Sequence, residues 1–295
     1  MPTSPRSPRS RAARAASAGG RDPDGPGGML ATARRLKLLY LGPLECWSGG
    51  REVRLGGPLE RTLLAALLAK DLRPVPISDL VAELWGKVPP ARAENALQAH
   101  VSRLRKRLSV AIDGDVLPLT SSGYCLRTPE GSVDGVDFLR VVGNVRGGGQ
   151  HGQDRTAEIL RAALRLWRGP PFGGVAVGPL CRAAAGRLDA ERLSAIELLY
   201  DTELQRGRHF EIVPELSYLL ESSSLHERLC EQLMIALYRS GRQTDALAVF
   251  RRMRRRLDAE LGVDPSPALR RIEQSILVHD ARLAVTSDHR RLRSD

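Results

Sequence analysis

Four cysteines in 295 residues stand too far apart to staple this chain or to hold a zinc ion. Cys46, Cys125, Cys181 and Cys230 are separated by 79, 56 and 49 residues, which matches neither the paired spacing of a zinc site nor a compact disulfide framework. Reduced, mostly packed thiols in a cytoplasmic protein are expected. No apolar run is long enough to span a bilayer, and residues 1–33 lack the apolar core of a secretory leader, so no membrane partner is expected. Lysine is scarce too, supplying four of the 45 basic side chains. That scarcity reads mainly as the codon bias of a GC-rich genome, although guanidinium also suits phosphate. Catalytic constellations are also missing: His151 and His209 have no sequence partner, and Cys181 has no visible base. The run Gly147–Gly149 follows no strand and opens no helix, so it does not read as a phosphate loop. No catalytic residue, metal or cofactor is expected.

What is present is positive charge, unevenly spread. The chain carries a net +11. Residues 1–33 contribute +3 and residues 34–129 contribute +6, while residues 130–295 contribute only +2. The positive field belongs to the N-terminal half, and a nearly balanced C-terminal half suits a protein partner. Residues 1–33 are built from Pro, Ser, Arg, Ala and Gly. Such a segment buries too little apolar surface to offset its ordering entropy and reads as a disordered tail.

The most informative stretch is LQAHVSRLRKRL at 97–108. At helical spacing, Leu97, Val101, Leu104 and Leu108 form one narrow apolar stripe. Asn95, Gln98, Ser102 and Lys106 fall on the opposite side, flanked by Arg92 and Arg103. Amides, a hydroxyl and cations on a firmly anchored helix suit base edges and phosphates in a major groove. Double-stranded DNA is therefore the expected partner.

The surrounding pattern supplies a context for that helix. Strands are expected over 36–41 and 52–55, separated by a Gly49-Gly50 turn. A helix follows from Pro58 to about Ala69 with Leu63, Leu64 and Leu67 inward. Ser78 is placed as the cap of a short second helix ending near Gly86. The basic helix spans about 91–108 after the Pro89-Pro90 break, and residues 116–119 and 124–127 form a hairpin across a TSSG turn. Strands, three helices and a terminal hairpin compose a winged helix-turn-helix. Further along, Gly207-Arg208 and Gly241-Arg242 stand 34 residues apart. In the same register Tyr200 aligns with Met234, Leu204 with Tyr238, and Leu216 with Phe250. A 34-residue period is that of tetratricopeptide helix pairs. An array of three irregular pairs is expected over 134–280. Within it the run Arg251–Arg256 reads as a solvated face, because Met253 and Leu257 keep core spacing with Phe250.

These elements carry a family resemblance. The HVSRLRKRL helix and the SSGYCLR hairpin resemble the OmpR/PhoB-type DNA-binding domain. With LRLWRGPPFGGV at 164–175, ALYRSGRQTDALAVF and LGVDPSPALRRIEQSIL, the chain is similar to the Streptomyces antibiotic regulatory protein (SARP) family of transcriptional activators. The resemblance implies an α+β winged helix-turn-helix over 34–130, an all-α tetratricopeptide-like activation domain over 134–280, and a flexible tail over 281–295. It implies that Arg103 reads a base, that His100 and Arg105 touch phosphates, and that Tyr124 packs to hold the wing. Ser122 and Cys125 replace the Pro and Arg usual in relatives, leaving Thr120, Ser121 and Ser122 as phosphate donors. It further implies a dimer or head-to-tail pair on promoter direct repeats, recruitment of RNA polymerase including its sigma subunit, and cytoplasmic, nucleoid-associated control of antibiotic biosynthesis. The alternatives are a repressor with the same DNA-binding domain, or a repeat-type interaction scaffold with non-specific DNA affinity.

Overall fold

The computed structural model describes residues 36–111, 114–149, 151–222 and 225–283. The proposed disordered segment 1–33 lies outside them, as does most of the proposed tail at 281–295. The chain opens with a three-stranded antiparallel sheet of β1 (Leu36–Leu39), β2 (Glu45–Ser48) and β3 (Arg51–Glu52). Register pairs Leu38 with Cys46 and Trp47 with Glu52. Gly49 and Gly50 join β2 to β3 with φ of +56° and +80°, a pair of left-handed positions that only glycine adopts cheaply. Two expectations are corrected here. The central strand β2 was not foreseen, because in Glu-Cys-Trp-Ser only Cys46 is buried and no apolar alternation announces it. The strand expected over 52–55 shrinks to Arg51–Glu52, although the Val53 amide still donates to the Cys46 carbonyl.

Helix α1 (Pro58–Ala69) begins on a proline whose missing N–H would have no helical partner. Residues Thr62–Ala69 are all buried, so α1 is the central helix around which the wing domain packs. Helix α2 (Ile77–Trp85) takes Pro76 as its N-cap, with no side-chain cap. Ser78 therefore lies inside the first turn and does not cap it, correcting the expectation. Helix α3 (Ala93–Leu108) starts two residues later than expected, with Arg92 at the N-cap. A hairpin of β4 (Leu119–Thr120) and β5 (Gly123–Tyr124) follows, its ladder continued by Cys125 N–H to Pro118 and Arg127 N–H to Val116. The hairpin is fastened to the α1–α2 link, where Val75 and Tyr124 exchange both backbone hydrogen bonds. Gly123 sits against that link at φ +123°, and a Cβ there would lie 1.9 Å from the Val75 carbonyl oxygen. No larger residue fits.

Among the described residues seven α-helices follow: α4 (Asp134–Arg146), α5 (Gln153–Leu164), α6 (Pro179–Gln205), α7 (His209–Ser222), α8 (Glu227–Arg239), α9 (Gln243–Leu261) and α10 (Pro267–Leu277). The 34-residue period appears as one helix ending used twice. Gly207 and Gly241 both have φ +74°. Arg208 N–H donates to Glu203, and Arg242 N–H donates to Leu237, one repeat further on. These are the 6→1 bonds of a Schellman ending. Phe250, Met253 and Leu257 are buried on α9 while Arg251, Arg252, Arg254 and Arg255 are exposed.

Two apolar cores form, and their border falls inside α6. One core runs from Leu36 to Leu199 and includes α4, α5 and the first part of α6. The other runs from Tyr200 to Ile276. The winged part and the first helices behind it thus share one interior, sealed by two buried carboxylates. Asp134 accepts hydrogen bonds from the amides of Tyr40, Leu41 and Gly135. Glu83 of α2 accepts from the amides of Gly178, Leu180 and Cys181, at the first turn of α6. Tyr40 also stacks on Phe172, with ring centroids 5.0 Å apart. Because Glu83→Ala leaves helix-end amides buried without an acceptor, it is expected to cost about 2–3 kcal/mol. Urea unfolding of the two proteins checks this; an unchanged midpoint would refute the capping role.

Candidate nucleic-acid interface

Helix α3 meets the protein on one side only. Leu97, Leu104 and Leu108 have no exposed surface and Val101 is 2% exposed, a burial worth about 1.5–3 kcal/mol per side chain. That stripe fixes the rotation of the helix. On the opposite face Arg92, Asn95, Gln98, Ser102 and Lys106 are all exposed. Among the described residues none of these five side chains is held by a hydrogen bond or ion pair within the protein.

The remaining predicted residues on α3 play a second part. The Arg103 Nε donates to Oε1 of Glu60 at 2.7 Å, and its other nitrogen lies 2.9 Å from Nδ1 of His100. His100 Nδ1 is itself 3.1 Å from the same Glu60 oxygen. Glu60 belongs to α1, is buried, and accepts the Gly57 amide through its other oxygen. One carboxylate therefore closes the start of α1 and orients two side chains of α3. Arg103 remains 52% exposed and presents the rest of its guanidinium outward. Arg105 braces the foot of the hairpin, donating to the Leu117 carbonyl at 2.6 Å and pairing with Asp115 at 3.4 Å. In the hairpin, the Thr120 hydroxyl donates to the Gly123 carbonyl and accepts the Ser122 amide. It is committed to shaping the turn, whereas Ser121 and Ser122 lie exposed at the tip. Tyr124 is buried, as the family resemblance implied.

Two basic residues of this surface escaped sequence reasoning. Val53, Arg54, Arg103, Lys106, Arg107 and Val110 line a shallow cavity of about 420 Å³ on the flank of α3. Arg107 reaches across it to the Arg54 carbonyl at 3.4 Å. Guanidinium and ammonium groups gathered around an open hollow suit a phosphate. Arg54 could not be found from the sequence because it enters from the link after β3, 49 residues before Arg103 and 52 before Lys106. Glu60 was hidden for a like reason, since no local pattern marks a carboxylate whose partners lie 40 and 43 residues away.

The electrostatics of Glu60 are set by this geometry. Burial pushes its carboxyl up, but hydrogen bonds from Arg103, then from His100, then from backbone outweigh burial and hold it at about 2. A carboxylate depressed in the folded state stabilises the fold above its unfolded value, about 4.3, and loses that contribution as pH falls toward 2. Unfolding titrations of wild type and Glu60→Gln should therefore diverge above about pH 4.5 and converge near pH 2. A constant difference across that window would rule out the ionised bridge.

The chain matches two family models. Residues 50–126 match "Transcriptional regulatory protein, C terminal", and residues 133–277 match "Bacterial transcriptional activator domain". Regulatory protein AfsR of Streptomyces coelicolor is 41% identical over 85% of this chain, and the chain spans only about a quarter (25%) of that relative's length. Transcriptional regulator RedD of the same organism is 40% identical, covering 85% of this chain and 73% of its own. Regulatory protein DnrI of Streptomyces peucetius is 34% identical, covering 83% and 93%. Among solved structures, Mycobacterium tuberculosis EmbR in complex with a low-affinity phosphopeptide superposes with a TM-score of 0.76 at 33% identity, over 83% of this chain and 65% of EmbR. These relatives carry the names of regulatory proteins, RedD that of a transcriptional regulator. With both domains matched in order and two relatives covered over most of their length, the chain belongs to the Streptomyces antibiotic regulatory protein family.

Proposed function

We propose that this protein is a sequence-specific DNA-binding activator of transcription for an antibiotic or other secondary-metabolite pathway. The observation that carries the reading is the outer face of α3. Arg92, Asn95, Gln98, Ser102 and Lys106 are exposed and unpartnered above a stripe that is wholly buried. Leaving five polar side chains of a rigid helix without internal bonds is what groove recognition requires, because their donors and acceptors stay available. Asn95, Gln98, Ser102 and Arg103 would face bases. Arg92, His100, Arg105, Lys106, Ser121 and Ser122 would lie along phosphates, with Arg54 and Arg107 extending that track. Thr120 would act by shaping the hairpin tip. Family membership supports the rest of the reading: a dimer or head-to-tail pair on direct repeats, contact with RNA polymerase and its sigma subunit, and a place in the cytoplasm on the nucleoid.

The division of labour on α3 yields separable outcomes. Arg103→Ala should cost about 1–3 kcal/mol on a cognate site and relax preference there. Since Arg103 also pairs with Glu60, its melting curve must be compared with wild type at the same pH. Lys106→Ala should weaken cognate and scrambled DNA alike and lower the log–log salt slope by about one. Fluorescence-anisotropy titrations at several salt concentrations measure both, and equal losses on the two DNAs for Arg103→Ala would remove its base-reading role. Footprinting should show a discrete direct repeat, which an interaction scaffold would not give. Transcription with purified polymerase should rise on adding the protein; a fall would make it a repressor.

A further inference from the structure

The second core leaves one open cavity that the DNA-binding reading does not use. It lies in the groove between α7 and α9, the second helices of successive pairs, with α8 as its floor. Leu220, Cys230, Leu233, Val249 and Met253 supply the apolar lining of this cavity, whose whole volume is about 340 Å³. At roughly 30 Å³ for each water-sized group, that holds a molecule of about ten heavy atoms.

The rim carries two guanidinium groups, Arg252 and Arg256, against one carboxylate, Glu221. Arg252 and Arg256 stand one turn apart on α9 at the edge of the apolar floor. Arg256 is tied down, donating to Glu260 at 3.0 Å and to the Leu220 carbonyl at 3.4 Å. Arg252 is 58% exposed, and its pairing with Glu221 across the mouth is long, at 4.0 Å. Its guanidinium can therefore turn to a bidentate acceptor with little to lose. The Cys230 thiol is pushed up to about 12, mainly by burial, so it stays neutral and belongs to the apolar floor. An ammonium at this mouth would meet two guanidinium groups against the single carboxylate of Glu221, which Arg252 already faces, so the balance of charge favours an anion.

We propose that this groove binds a small amphipathic carboxylate, its apolar chain on Leu233, Val249 and Met253 and its carboxylate on Arg252. Bridging α7 to α9 would tie two repeats together and make the ligand an effector of the second domain.

Octanoate, octylamine and acetate serve as probes, each titrated below micelle-forming concentration into the full-length protein by calorimetry with parallel melting curves. Octanoate should bind saturably at one site and raise the melting temperature, while octylamine and acetate do neither. Arg252→Ala, at an exposed position, should weaken octanoate about tenfold, as expected for one lost charge-assisted pair. Val249→Trp should fill the cavity and abolish binding. An equal response to octylamine or acetate, a non-saturating signal, or octanoate affinity unchanged in both variants would overturn the proposal. If Val249→Trp fails to fold, Arg252→Ala and the probe series decide alone.

Discussion

A carboxylate on one helix receiving the first turn of another is the constraint on which this architecture depends. Glu83 accepts three amides at the start of α6, where the helix carries its positive end. That helix runs for 27 residues, so at about 1.5 Å per residue it spans roughly 40 Å. Its first part completes the core shared with the winged region, and its last turns open the core of the repeat. Fixing its N-terminus on α2 therefore fixes the direction in which the later helices leave the winged region. Asp134 does the same for α4 by taking the amides that follow β1. Two buried carboxyl groups join the winged region to the helices behind it, because each meets only donors and an apolar side chain could satisfy none of them.

The working face of α3 depends on the same economy of partners. Its apolar stripe is spent on the core, its bracing residues are spent on Glu60 and Leu117, and the remaining face is left open. Arg103 stands at the border between the two uses. Its pairing with Glu60 limits the rotamers of a long side chain, so part of the entropy that a DNA contact would cost is already lost in the free protein. The wing is held on equal terms: Val75 and Tyr124 fix its backbone, and Gly123 allows the close approach that those two bonds need.

Much of this was legible in the order of residues. Pro58 and the leucines behind it marked α1, and Leu97, Val101, Leu104 and Leu108 marked both the existence and the rotation of α3. Gly207 and Gly241 announced the repeat because a left-handed helix ending has a local chemical signature. The strand β2 was not legible, since a short central strand with one buried side chain carries no alternation. Ser78 misled, because a good capping residue can lie within the first turn of a helix whose start is set by Pro76. Arg54, Glu60 and Glu83 were silent for a common reason. Each acts on residues dozens of positions away, and pattern reading sees only neighbours.

The sequence by itself thus determined the helix that presents polar groups and the 34-residue register, which follow from local period, and the family, which its motifs carry. Tertiary structure alone decided which polar groups on that helix are free. Asn95, Gln98, Ser102 and Lys106 stay open, while His100, Arg103 and Arg105 are partly spent. It also decided that the apolar interior crosses the link at 130–134 and divides within α6. Both outcomes depend on which distant carboxylates and carbonyls arrive beside a side chain, and hydrogen-bond partners are assigned by folding, not by spacing.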